Sequence, residues 1–245
     1  MDKKPSEALL KMLGRTALKQ NDQAGYIDAL ERLVILYPSR EIWADLISRT
    51  ANLPTMTDRY LQDLFRLQMA LGEKLTASQY MFLAQNAMQT GFPIDAKQIL
   101  DNGFTVGVLG GAVEHKQLRD KSTKDADDDM KNMVRTSAEA AKGKDGPGLF
   151  NSGLNFVISG DKTRGLAMME DGIKRAGIKR PADAKLRLGI TYALSGEGVK
   201  AIEILASTSG PEGLSDVARI WSTFAKQAAH ANATKDVKAI KEAAR

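Results

Sequence analysis

Tyr80-Met81-Phe82-Leu83-Ala84-Gln85-Asn86-Ala87, breaking at Thr90-Gly91 and resuming at Ala96-Lys97-Gln98-Ile99-Leu100-Asp101-Asn102-Gly103, is the stretch whose spacing decides the fold. Tyr80, Leu83, Ala84 and Ala87 recur at the interval that places them on one face of a helix, ring first and small residues after. Gly91 supplies a turn. Small Ala96, large Leu100 and small Gly103 then share a face of a second helix. The stretch therefore reads as two short helices joined tightly, each with an apolar face that neither can bury alone.

The same spacing returns along the chain. Leu149, Gly153, Phe156, Gly160, Gly165, Met169 and Gly172 occupy the equivalent places, and a shift of 36 residues brings Leu188, Gly189, Tyr192, Gly196, Ala201 and Leu205 into register. Toward the start, Leu10, Leu13, Gly14, Ala17, Leu30, Leu33 and Pro38 fit, with bulky Tyr26 where a small residue is usual. Trp43 and Leu46 open another unit, whose second helix is expected over Asp58 to Leu71, entered through Pro54 and Thr57. Turns are expected at Asn21-Asp22, Thr90-Gly91, Ser159-Gly160-Asp161 and Ser195-Gly196.

This pattern of large, Leu, small, ring, turn, small, large, small resembles the tetratricopeptide repeat family over most of residues 6 to 209. The likeness is strongest at 76–104 and 146–209. Two departures are Lys185, where a large apolar residue is expected, and Ser152 in place of Leu. The arrangement is also similar to proteobacterial tetratricopeptide proteins whose precursors carry an export signal. The resemblance implies an all-α, right-handed α-solenoid of stacked antiparallel helix pairs, in which small residues such as Gly153, Gly189, Ala84 and Ala96 let paired helices approach.

Four segments follow: N-terminal helix pairs over 1–104, a charged connecting segment over 105–145, C-terminal pairs with a capping helix over 146–228, and a tail over 229–245. Gly103 to Gly111 reads as a helix end followed by a flexible connector. His115 to Lys142 reads as one long helix or two shorter ones. The capping helix is expected from Leu214 to about Ala229, and the Ala/Lys-rich tail as a frayed helix or partly disordered.

Composition narrows the functions. With no cysteine, disulfides, thiolate metal sites and cysteine nucleophiles are excluded. Thirty-five basic residues against thirty acidic ones, interleaved and with only 6% aromatics, give no basic stripe with stacking partners, so no nucleic acid is expected. No apolar run reaches the roughly 20 residues that span a bilayer. Helical periodicity starts at about Ser6 with no signal core before it. If an upstream export signal is missing, a periplasmic location is favoured over a cytoplasmic one.

No motif carries chemistry. Gly107–Gly111 and Gly143–Gly148 lack the G-x-x-x-x-G-K-[ST] arrangement. The run Asp125 to Asp129 fails as a calcium loop, because Met130 and Thr136 stand where Gly and Glu are needed, and reads as a solvated acidic turn beside Lys121, Lys124 and Lys131. His115 and His230 are more than a hundred residues apart, outside any ligand spacing, and Ser152 and Ser195 lack a nucleophile context. The methionines fit core filling. No enzyme activity, cofactor or metal is expected.

What remains is binding of a protein or peptide. The resemblance implies that the first helix of each pair lines a concave groove. Its polar early part would hold Arg15, Lys19, Asn52, Gln85 and Gln89, and its apolar later part Leu154, Val157, Ile158, Ile190, Ala193 and Leu194. The family's carboxylate clamp is matched only by scattered Lys11 and Arg187. The expected function is a bacterial interaction scaffold. The alternatives are the docking or regulatory part of a larger enzyme whose catalytic domain lies elsewhere, or a helical protein with a buried ligand pocket.

Overall fold

The computed structural model describes residues 4–143 and 146–243, with side-chain surroundings to residue 234. Every regular element among them is helical. In chain order they are α1 (Glu7–Lys19), α2 (Gln23–Leu36), α3 (Arg40–Ala51), α4 (Asp58–Ala70), α5 (Ala77–Gln89), α6 (Pro93–Thr105), α7 (Val113–Lys142), α8 (Gly146–Ile158), α9 (Lys162–Lys174), α10 (Pro181–Ser195), α11 (Gly198–Ala206) and α12 (Leu214–Ala243).

Local signals start the helices. Ser6, Asp22, Ser39 and Asp161 each accept a first-turn backbone N–H, and Thr76 with Gln79 forms a reciprocal capping box. Pro93 and Pro181 occupy first turns, where a missing N–H costs nothing.

The turns repeat. Asn21, Gly91, Gly160 and Gly196 all adopt left-handed backbone, with φ of 56°, 81°, 103° and 87°. In each case the next N–H returns to the carbonyl five residues back: Asp22 to Ala17, Phe92 to Ala87, Asp161 to Phe156 and Glu197 to Tyr192, at 2.8–3.0 Å. This helix-terminating hydrogen bond folds α1 on α2, α5 on α6, α8 on α9 and α10 on α11. The α3–α4 connection is longer and the two helices touch less.

The tightest pairing is α8 with α9. Gly146 and Gly153 on α8 face Gly165 and Gly172 on α9, each pair seven residues apart, so the glycines stack along one seam. A Cβ on Gly153 would lie 2.6 Å from the Gly165 carbonyl oxygen, and one on Gly172 would lie 2.7 Å from the Phe150 nitrogen. The obstacle is backbone and cannot rotate away. At Gly189 the obstacle is only the Leu205 side chain. Ala84 and Ala96, the other expected close-approach residues, are completely buried.

The pairs share two cores. One joins Leu10, Leu30, Trp43 and Leu64 from α1 to α4 with Phe150, Met169, Tyr192 and Trp221 from α8 to α12. The other gathers Tyr80, Leu83, Ile99 and Leu100 of α5 and α6 with Leu109. The chain achieves the first by returning: α12 packs on α10 and α11 and also on α2, α3 and α4.

Three expectations change. The connector after Gly103 is folded back, with the N–H groups of Val108 and Leu109 both bonded to the Gly103 carbonyl at 3.0 Å and Leu109 buried against Gly103. The acidic run is helix and not a turn, because Lys121 pairs with Asp125 and Lys131 with Asp128 along one continuous α7. The capping helix does not end near Ala229; α12 continues through the expected tail to Ala243, while residues 244 and 245 lie outside the described ones.

Gly153→Ala should lower the melting temperature despite alanine's higher helix propensity. An overpacked contact costs about 1–3 kcal/mol, at roughly 2–4 °C per kcal/mol for a chain of this size. Gly198→Ala, whose Cβ would meet nothing closer than 3.6 Å, should leave it unchanged or raise it. An unchanged melting temperature for Gly153→Ala would contradict backbone contact between α8 and α9.

Candidate functional site

A concavity lies where α4, the start of α6, α8 and α10 meet. A cavity of about 450 Å³ is walled by Phe92, Phe150, Ile178 and Ala184, with Arg59, Arg66 and Arg187 among its polar residues. A second, of about 240 Å³, is walled by Leu154, Val157, Ile158, Ile190 and Leu194. The two share Arg66, Asp95 and Arg187, so two adjoining apolar chambers meet at a charged waist, together called the cleft below.

The waist is built from helix ends and faces that the pairing brings together. Arg66, in the third turn of α4, donates two guanidinium N–H groups to Asp95 in the first turn of α6, one of them at 3.1 Å. The pair is largely buried, and Arg66 Nε is buried without an acceptor. Asp183 in the first turn of α10 accepts from Tyr60 Oη at 2.6 Å and pairs with Arg59, which ties α10 to α4. Burial, followed by the Asp183 carboxylate, pushes the Tyr60 hydroxyl up to about 12. Gln98 Nε2 donates to the Ile158 carbonyl at 2.8 Å across the α6–α8 gap.

Two waist groups are left over. The Arg187 guanidinium has no hydrogen bond and no ion pair among the described residues, although Arg187 borders both chambers and the small space beneath them. Asp63 is buried nearby, its backbone carbonyl accepting from Trp221 and its carboxylate meeting no cation within ion-pair distance among the described residues. Burial pushes its carboxyl up, opposed by the more distant Arg187 and Arg66 and reinforced by Asp183.

The expected groove residues divide. Leu154, Val157, Ile158, Ile190 and Leu194, the apolar later part, line one chamber together; Ala193 is half-buried outside it. Arg15 lies instead in a separate cavity between α1, α2 and α3 with Leu18 and Tyr26. Lys19, Gln85 and Gln89 are exposed at the ends or outer faces of α1 and α5, and Asn52 caps α3 by donating to the Ser48 carbonyl at 2.7 Å. None of these five borders the central cleft. The reading of the sequence missed Arg66, Asp95 and Asp63, which carry no motif. Their only local hint is that Asp63 and Arg66 are three apart on one helical face.

Elsewhere, His115 Nδ1 accepts the Gly110 N–H at 3.2 Å, a local structural bond. Among the described residues no three His, Asp or Glu side chains converge as metal ligands, and no helix is long and apolar enough to cross a membrane. No protein-family model matches the chain, and no curated protein matches it.

Because the folded carboxyl of Asp63 is raised above its unfolded value, protonation favours the native state. That contribution is complete below the unfolded pKa and is lost as pH rises through the folded one. Asp63→Asn should therefore raise the melting temperature at pH 7, and the gain should shrink on acidification toward pH of about 4, where the wild-type carboxyl also binds its proton. A loss at pH 7 would show that attraction to Arg187 and Arg66 outweighs the burial of the charge.

Proposed function

We propose that this chain is a non-catalytic binding protein, a right-handed solenoid of tetratricopeptide-type helix pairs whose groove takes a polypeptide partner. The observation that carries this reading is the convergence in one chamber of Leu154, Val157 and Ile158 from α8 with Ile190 and Leu194 from α10. These are the positions that the repeat register assigns to the concave face of successive pairs. The four repeated turns support the register itself, since the same hydrogen bond closes each helix pair. In this reading α12 covers one side of the stack through Trp221 and Phe224, and the cleft between α4 and α10 is the groove left open.

The chemistry of the cleft supports binding over turnover. Arg66, Arg59 and Tyr60 are already committed to Asp95 and Asp183, and such paired groups hold shape. The apolar chambers supply area to bury, the main source of affinity in a concave site.

The test compares two surfaces. Val157→Asp with Leu194→Asp places charges on half-buried and exposed chamber residues, so helicity should survive while capture of the partner is lost. Arg15→Ala, Lys19→Ala and Gln85→Ala together should keep both fold and partner. Loss of the partner only in the second variant would move the recognition surface to the polar face of α1 and α5.

A further inference from the structure

We infer that the cleft is built for an extended peptide segment carrying an acidic side chain between two apolar ones, with Arg187 as the residue that reads the acid. This inference rests on the groove reading above and adds its chemistry.

The charge inventory favours an incoming carboxylate. Of the cations bordering the two chambers, Arg59 and Arg180 share Asp183, and Arg66 is matched by Asp95. Arg187 at the waist has no side-chain hydrogen bond or ion pair among the described residues, and neither do Lys179 at one end and Lys162 at the other. The remaining acid, Asp63, lines the second chamber and makes no ion pair with Arg187 among the described residues. Arg66 adds a buried Nε–H that lacks an acceptor. A guanidinium with all its donors free, in a half-buried position, gains charge-assisted and bidentate hydrogen bonds when a carboxylate arrives.

The shape favours a strand-like segment. An extended chain rises about 3.3 Å per residue and alternates its side chains, so residues two apart share a face. An acid at the waist therefore sends its neighbours at two residues before and after toward the two chambers, one lined by Phe92, Phe150 and Ile178 and the other by Val157 and Leu194. A small organic acid would fill one chamber and leave the other open, which is why the peptide is the better match.

The experiment measures fluorescence anisotropy of labelled pentapeptide pools, acetylated and amidated, of pattern apolar–Ser–X–Ser–apolar, with X either Glu or Gln and the apolar positions drawn from Leu, Ile, Val, Phe and Met. The Glu pool should bind the wild-type protein at least about tenfold more tightly than the Gln pool. Arg187→Gln should bring the two pools to equal, weak affinity with unchanged helicity, whereas Arg187→Lys should retain a reduced preference for Glu. Equal binding of both pools to the wild type, abolished by Val157→Asp with Leu194→Asp, would overturn the acid specificity and leave the groove reading standing. A Glu preference that survives Arg187→Gln would overturn the role of Arg187. Binding of neither pool, or full competition by free hexanoate, would overturn the peptide segment as occupant, and binding untouched by the chamber variant would overturn the groove reading itself.

Discussion

Trp221 holds the two ends of the chain together. Its side chain is 0% exposed, and its indole N–H donates to the Asp63 carbonyl at 3.1 Å, from α12 to α4. Phe224 meets the Trp221 ring edge-on at 5.5 Å and the Trp43 ring of α3 at 6.4 Å. A tryptophan buries about 150–250 Å², which at about 25 cal/mol per Å² is about 4–6 kcal/mol. That is comparable to a large share of a domain's net stability. The hydrogen bond adds little by itself, but it satisfies an indole N–H that would otherwise be buried without an acceptor. Around this seat Asp216 and Arg219 of α12 also reach the first helices, Asp216 accepting from Thr55 and Arg219 pairing with largely buried Glu31.

The cleft is a consequence of that closure. Once α12 fixes α4 relative to α10, Tyr60 and Arg59 can reach Asp183, and Arg66 can reach Asp95 in the next pair. Buried ion pairs recover little net stability after desolvation. Their effect here is geometric: they fix where α4, α6 and α10 stand, and so the width of the waist. The same geometry leaves Arg187 and Asp63 without an ion pair among the described residues.

The local features were legible in the residues. Asn21, Gly91, Gly160 and Gly196 were marked as turns because a left-handed helix terminus leaves a local signature, and Gly153 because close approach tolerates no larger residue. Leu154, Val157, Ile158, Ile190 and Leu194, expected from their spacing to share one surface, do line one chamber. The return of α12 was not legible. Trp221 and Asp63 are 158 residues apart, and nothing in either neighbourhood announces the other. The waist was hidden for the same reason: Arg66, Asp95 and Arg187 are ordinary polar residues on amphipathic helices until three separate pairs converge. The acidic run of α7 misled in the opposite way, since its charges suggested a turn while lysines one helical turn away stabilised a continuous helix.

Hydrogen exchange at the Trp221 indole tests the closure directly. If α12 locks the first and last helix pairs into one body, the indole N–H opens only with global unfolding, and its protection should equal that of the slowest amides in α2 and α10. An indole that exchanges freely while those amides stay protected would mean that α12 detaches independently, and that the cleft is not a fixed feature of the fold.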